Sequence, residues 1–255
     1  MVTHGIPMTI EQPSRRTILA FFVIAGLSLL LNLVFGAFRT ARPDGGERWQ
    51  GAESVPLPSP SGESDVSVEE AIANRRSRRA YGDEPLSRRE VGQLLWAAQG
   101  VTERTTGYRT APSAGALYPL EVYVVVGTPG VEDLESGVYR YRPENHELAR
   151  GRTGRVQSEL RAAALDQEYV EAAPIDIVVC AVDERTTRKY GKRGRQRYVP
   201  MEAGHAGENL FVQAESLGLA TVSVGAFSDD RVRAVLEAPA KQRPLYIFPV
   251  GTRQS

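Results

Sequence analysis

Three short segments carry residues whose types suit the grip of a flat ligand that ends in a phosphate. The first is Asn74-Arg75-Arg76-Ser77-Arg78-Arg79-Ala80-Tyr81, four arginines around one hydroxyl at the end of an expected helix. Guanidinium groups bind phosphate oxygens in pairs, and a serine adds one more donor. A solvated basic helix end and a nucleic-acid patch are the other readings of these residues. The latter is disfavoured by a formal net charge of zero and by the absence of other basic runs nearby. The second segment is Ala111-Pro112-Ser113-Ala114-Gly115-Ala116-Leu117-Tyr118-Pro119. Its small residues let backbone approach a planar ligand, and its prolines fix the path; an ordinary loop before a strand has the same composition. The third, Leu219-Ala-Thr-Val-Ser-Val-Gly225-Ala-Phe227, is a strand whose Gly-Ala end either presents N–H groups to a ligand edge or simply turns.

Other candidate chemistry is thinner. Glu202-Ala-Gly-His205 has the Glu-x-x-His spacing of half a di-iron site, but no second such pair follows, so a structural or pocket-lining role is expected and no metal site. His4, His146 and His205 are too scattered for a histidine-rich metal centre. The single cysteine, Cys180, lies in the apolar run Ile175–Val182 and reads as a small buried hydrophobe.

In order and spacing, the three segments resemble the nitroreductase superfamily of FMN enzymes, and within it the heterocycle-forming dehydrogenases of SagB/ThcOx type. The resemblance spans about residues 66 to 253. It implies that Arg75, Ser77 and Arg79 contact the FMN phosphate and ribityl chain, with Arg76 beside them. It implies that Pro112, Ser113, Ala114 and Gly115 reach the flavin of the other subunit of a homodimer. Val224, Gly225 and Ala226 then lie against the flavin ring, and Arg253, after Pro249-Val-Gly, is a further phosphate ligand. The same branch has a catalytic Lys-Tyr pair, usually preceded by leucine. Here it reads Arg188-Lys189-Tyr190, so the pair matches and the leucine does not. Lysine and tyrosine suit the proton transfer that accompanies hydride loss; a solvent-facing basic loop is the plainer reading of Arg185–Arg197. The resemblance also places Met201–Asn209 on a helix lining the dimer and flavin region.

The elements that must position these residues alternate between helix and strand. Ser67-Val-Glu-Glu opens a helix expected to run to about Ser77. Ser87-Arg-Arg-Glu90 is a capping box before Val91, Leu94, Leu95 and Ala98, with Gly100 as the stop. Strands are expected at Glu121–Gly127, Gly137–Arg142, Ile175–Val182 (central in the sheet), Leu219–Val224 and Leu245–Val250, and helices at Arg155–Leu165, Glu202–Leu217 and Asp229–Leu236. The pattern predicts one α/β (α+β) domain of nitroreductase type, a central mixed sheet with helices on both faces. With 255 residues, 42% hydrophobic and 24% charged, the chain has room for such a domain.

The N-terminal part reads differently. Residues 1–16 precede Thr17–Phe38, an uncharged apolar run long enough to cross a bilayer as a helix. A membrane anchor or uncleaved signal helix is expected there. Ser14-Arg15-Arg16 reads either as a twin-arginine export start, which would place the following domain outside the cytoplasm, or as plain positive flanking residues. Residues 39–65, rich in Pro, Gly and Ser, are expected to be a flexible tether, leaving 66–255 as the FMN-binding domain. The implied activity is movement of a hydride through flavin N5, either oxidising a substrate as azoline-to-azole dehydrogenases do, or passing electrons from NAD(P)H to a nitroaromatic or quinone. A non-catalytic flavin-binding module of a membrane-associated complex, and a generic α/β domain without cofactor, are the competing classes.

Overall fold

Two apolar runs build the centre of the molecule, and the rest is arranged around them. The computed structural model describes Trp49 and residues 51–254. In chain order the elements are β1 (Ser54–Pro56), α1 (Val68–Asn74), α2 (Arg88–Gln99), the hairpin β2 (Val101–Glu103) and β3 (Tyr108–Arg109), then β4 (Leu120–Val126), β5 (Gly137–Arg142) and β6 (Glu147–Thr153). They continue with α3 (Gln157–Ala163), α4 (Glu168–Ala172), β7 (Ile175–Val182), α5 (Asp183–Tyr190), α6 (Val199–Ser216), β8 (Leu219–Thr221), α7 (Asp229–Val235) and β9 (Gln242–Thr252).

Seven strands form one sheet in the order β1-β6-β5-β4-β7-β9-β8. The runs of β4 and β7, apolar but for Glu121 and Asp176, are buried at every residue and pair with each other at its centre. Side-chain alternation splits each run between two cores. Leu120, Val122, Val124 and Val126 pack with α2 and α6, whereas Tyr123 and Val125 face α3 and α7. Helices therefore cover both faces, as the alternating pattern requires, and Cys180 sits in the second core with no accessible surface. Every ladder of this sheet is antiparallel. The parallel component of the expected mixed sheet is confined, among the described residues, to the isolated bridge Leu86–Val131.

Local signals place the helix starts. Ser87 and Glu90 form the reciprocal capping box, with Ser87 N–H donating to the Glu90 carboxylate at 2.7 Å and Glu90 N–H to Ser87 Oγ at 3.2 Å. Ser67 Oγ accepts from Glu70 N–H at 3.1 Å.

Several boundaries differ from expectation for tertiary reasons. Helix α1 ends at Asn74, because Arg75 turns to extended backbone (ψ 127°) and Arg78 N–H donates to Thr221 O of β8 at 2.8 Å. The arginine run thus lies on extended chain docked to a strand, not on a helix end. Residues 185–197 are not a loop: α5 and a π-helical turn, Gly194–Tyr198, lead directly into α6. The described part of the expected tether 39–65 lies on the domain. Trp49, only 4% exposed, packs edge-on against Tyr123 at 5.4 Å, Ser54–Pro56 adds a strand to β6, and Leu57 enters the first core. Two well-buried apolar side chains outweigh the Pro/Gly/Ser composition around them. The apolar run 17–38 and Ser14–Arg16 lie outside the described residues; among those described, no helix is long and apolar enough to cross a membrane.

Candidate active site

The expected site residues fall into two groups, one at each end of α6. At its C-terminal end, Arg75 lies over the ring of Phe211, 5.1 Å from the centroid, and Arg79 lies over Tyr169 at 5.6 Å. Tyr169 donates to the Gln167 side chain, whose Nε2 donates in turn to Ala226 O at 2.9 Å. That chain of contacts joins the arginine run to the strand end Val224–Ala226. Val224 is fixed by paired backbone bonds with Ile247 at 2.8 and 3.0 Å, while Gly225 is exposed and a Cβ there would meet no atom within 4 Å. Ser77 is exposed beside them.

The arginines are not equivalent. Arg75 and Arg79 make no ion pair with a carboxylate among the described residues; their recorded side-chain contacts are the two rings. Arg76 folds back onto the end of α1, donating to Ala73 O and Arg75 O at 3.0 and 2.8 Å, which makes it a helix-end cap. Arg253 joins the cluster through the bridge Tyr81–Arg253, but its guanidinium is held by Glu215 at 2.7 Å and by Leu219 O at 3.3 Å. Arg78, absent from the expected contacts, has a buried Nε with no partner among the described residues.

At the N-terminal end of α6 the second group is bound far more tightly. Pro112 and Gly115 are exposed, Ser113 and Ala114 half-buried. The loop holds three left-handed residues, Gly115 (φ 67°), Ala116 (φ 53°) and Tyr118 (φ 43°), two of which have side chains that disfavour this region. Such backbone persists only where surroundings over-determine it. Here Ser113 Oγ accepts from Tyr118 N–H at 2.9 Å, Tyr118 Oη accepts from Arg109 N–H at 3.2 Å, and Tyr118 O accepts from Arg185 at 2.9 Å. The Arg109 guanidinium lies 4.9 Å from the centre of the Tyr118 ring.

The last residues of α5 meet this loop. A Cβ on Gly115 would stand 2.8 Å from Tyr190 Oη and 3.0 Å from Lys189 Nζ. Glycine is therefore required twice, by the positive φ and by the two polar atoms at its α-carbon. Lys189 Nζ is 5.4 Å from the Tyr190 ring centre, and Tyr190 packs edge-on against Tyr198 at 5.0 Å. Asp183, at the start of α5, braces the helix by a two-pronged bond to Arg243 at 2.9 and 2.8 Å and an ion pair to Arg195 at 3.3 Å. The structure thus brings Lys189 and Tyr190 to Gly115, a juxtaposition across some 75 residues that no local pattern shows.

Glu202 completes the second group. It is buried, bonded to Ser113, and one carboxylate oxygen has no partner among the described residues. Burial pushes its carboxyl up to about 7, against the bond from Ser113 and the charges of Arg109 and Arg185, which pull it down. His205, one turn on, is exposed, so the Glu-x-x-His pair does not share one environment. The signal for Glu202 is its place in the helix: it precedes Ala206 by four residues and lies on the stripe that Ala203, Ala206 and Leu210 bury.

The match to known proteins fits this geometry. The nitroreductase family model covers residues 72–252. The chain belongs to the nitroreductase family. A protein of Methanocaldococcus jannaschii named as a nitroreductase, MJ1384, is 47% identical over 189 residues, covering 74% of this chain and 92% of its own. The crystal structure of a nitroreductase-named protein from Ralstonia eutropha superposes with a TM-score of 0.70 at 28% identity, covering 79% of this chain and 90% of that one. The Escherichia coli microcin synthetase McbBCD complex with truncated pro-MccB17 bound contains a chain that superposes with a TM-score of 0.62 at 26% identity, covering 86% of both. An oxidoreductase of this family accounts for one charged end and one strained, acid-bearing end on the same helix.

Proposed function

We propose that this family member is an FMN-dependent oxidoreductase of the SagB/ThcOx-like dehydrogenase branch, working as a homodimer whose sites each draw on both chains. The observation that carries the reading is the separation of the two residue groups. Glu202 and Glu215 mark the two ends of α6, thirteen residues apart, which is about 20 Å along a helix axis. That separation favours a flavin whose phosphate is held at Arg75 and Arg79 of one chain while its ring meets Gly115 and Lys189 of the other. A two-fold dimer with α6 near its axis brings the arginine end of one chain to the Gly115 end of the other.

The residues fit the group. Arg75 and Arg79 have no carboxylate to neutralise them among the described residues, and the partnerless Arg78 Nε lies in the same run. Gly225 leaves open space for a flat ring. When bound, FMN supplies a hydride acceptor and donor at its N5. The chain's own work is to fix the phosphate through Arg75, Ser77 and Arg79, with Arg253 as an auxiliary charge, and to support the ring through Val224, Gly225 and Ala226. Pro112–Gly115 of the partner chain closes the other side. Lys189 Nζ and Tyr190 Oη hold or move the substrate proton, and Glu202 sets the orientation of the Ser113 hydroxyl. The substrate is a small heterocycle or a peptide-borne azoline, a choice supported by the likeness to the microcin synthetase chain; in that direction a quinone takes the two electrons from the flavin, whereas NAD(P)H is the donor where the chain works as a reductase of a nitroaromatic or quinone. The apolar run 17–38 anchors the domain to a membrane, and the twin-arginine reading of Ser14–Arg16 places it outside the cytoplasm.

Two measurements test the reading. The purified full chain should show flavin absorbance and release FMN on denaturation; a colourless protein that takes up no added FMN ends it. Coexpression of an Arg75→Ala, Arg79→Ala chain with a Lys189→Ala chain should restore activity to roughly a quarter of wild type, since half the random dimers are mixed and each holds one intact site. No restoration would place both groups of one site on one chain.

A further inference from the structure

A cavity of about 110 Å³ lies between the end of α2, the starts of β4 and α5, and the end of β5. None of the residues assigned to flavin binding lines it. Its charge is out of balance. Arg140 donates to Glu121 through two nitrogens at 3.0 and 2.7 Å, and Arg185 pairs with the other oxygen of the same carboxylate. Glu121, with its side chain 8% exposed, thus serves two guanidinium groups. Arg109 has Glu144 at 2.9 Å and Arg142 has Glu147 at 3.0 Å. The lining itself holds four arginines against two carboxylates, Glu121 and Glu144; Glu147, and Glu202 acting through charge on Arg109 and Arg185, lie beyond it.

A second observation concerns a residue of the lining. Gln99 is 1% exposed; its Oε1 accepts from Arg109 at 3.1 Å and its Nε2 has no partner among the described residues. Arg109 offers only donors, so the atom facing it must be the oxygen and the unpaired atom must be the amide nitrogen. A buried donor without an acceptor costs on the order of 1–3 kcal/mol.

We propose that this cavity binds a carboxylate group. A planar carboxylate can accept from the guanidinium N–H groups that Glu121 leaves free and from the Gln99 amide, and brings negative charge to an arginine-rich lining. The space is several times the roughly 10–15 Å³ that one water needs, and so admits an acetate-sized group. The carboxylate comes either from a free small acid or from the C-terminus of a peptide.

The full chain is titrated by calorimetry and thermal melting with sodium acetate against sodium chloride at equal ionic strength, then with a short N-acetylated peptide acid and its C-terminal amide. Saturable heat and a rise in melting temperature with acetate are expected. Arg140→Met should weaken binding by about tenfold or more, the loss of one charge-assisted contact. Gln99→Glu, which puts a fixed carboxylate where the ligand's would sit, should abolish the response while keeping the chain folded. Binding of the peptide acid but not its amide assigns the carboxylate to a peptide end; acetate binding alone assigns it to a free acid. No response to either acid overturns the proposal, as does a response unchanged in Arg140→Met and Gln99→Glu. A response lost in Arg75→Ala, Arg79→Ala also overturns it, because the anion would then sit on the arginine run.

Discussion

The two ends of α6 are built on opposite physical terms. At the C-terminal end, Arg75 and Arg79 rest on aromatic rings, while the backbone that carries them is pinned by Arg78 N–H to Thr221 O and by Gly82 N–H to Thr252 O at 3.0 Å. The chain is fixed and the charges stay available. At the N-terminal end the loop itself is strained, and Ser113, Tyr118, Arg109, Arg185 and Glu202 hold it by direct bonds. One end suits the capture of a charged group by adaptable side chains. The other suits chemistry that needs atoms held in place before the ligand arrives. A ligand that spans both would be gripped by charge and oriented by shape.

The largest expected effect comes from the capturing end. Removing both free guanidinium groups, Arg75→Ala with Arg79→Ala, should weaken FMN binding by about 100- to 1,000-fold, the loss of two charge-assisted contacts. Fluorescence titration of FMN measures it. Far-UV circular dichroism should not change, because the pinning bonds belong to the backbone. An affinity loss below tenfold would move the phosphate away from this run and dissolve the contrast between the ends.

The orienting end should respond in rate and not in affinity. Lys189→Ala and Tyr190→Phe are each expected to lower turnover by about 100-fold or more, the usual contribution of a positioned acid or base. FMN affinity should stay within a few-fold of wild type. If instead both substitutions release flavin and leave the residual rate per bound flavin intact, the pair is a binding element and the two ends do the same job.

How much of this contrast the sequence shows depends on whether each feature is local. The capping box at Ser87 and Glu90, the buried run of β7 and the Gly100 stop are all set by neighbouring residues, and they stand where the pattern puts them. The composition of the arginine run is equally plain, but its extended conformation is not, because a bond to Thr221 more than 140 residues away decides it. Strand β6 carries two buried residues, Leu148 and Ala149, among polar ones, too short a signal for alternation to reveal. Trp49 and Leu57 are single apolar side chains in a Pro- and Gly-rich stretch, and only the cores they enter give them meaning. The Lys189–Gly115 approach and the acid at Glu202 come from packing α5 and α6 against one loop. The resemblance supplied the first as a residue pair; nothing in the chain's own pattern supplied its distance to glycine.

The acid sharpens the comparison through pH. An ordinary glutamate titrates at 4.5, and in the folded chain Glu202 is pushed to about 7 by burial. The folded state therefore holds this proton more tightly than the unfolded chain. Burial of Glu202 costs nothing below about pH 4.5; the penalty grows as pH rises toward 7 and is complete above it. Glu202→Gln should remove that penalty while the amide carbonyl oxygen takes over the bond from Ser113. The variant should gain at most about 3 kcal/mol at pH 8 and almost nothing at pH 4. Denaturant melts of both proteins across that range give the difference directly, and the buried Asp176, also raised by burial, cancels because both proteins carry it. A gain that does not depend on pH would mean that Glu202 is neutral or solvated throughout, and that the orienting end stores no buried charge.

The smallest effect concerns the residue that stands between the two designs. Arg253 belongs to the capturing end by position, yet Glu215 and Leu219 O hold its guanidinium as the orienting end holds its own groups. Glu215→Gln, Arg253→Gln and the double variant form a cycle. A part-exposed pair of this kind should show a coupling of about 0.5–1 kcal/mol, with the double variant costing little more than either single one. FMN affinity decides which end Arg253 serves. If Arg253→Gln weakens binding less than tenfold and Glu215→Gln leaves it unchanged, the guanidinium is a strut that ties β9 to α6, with charge to spare for the phosphate. If Glu215→Gln tightens FMN binding, the freed guanidinium has turned to the phosphate, and the carboxylate on α6 is what keeps the capturing end from binding its anion more firmly.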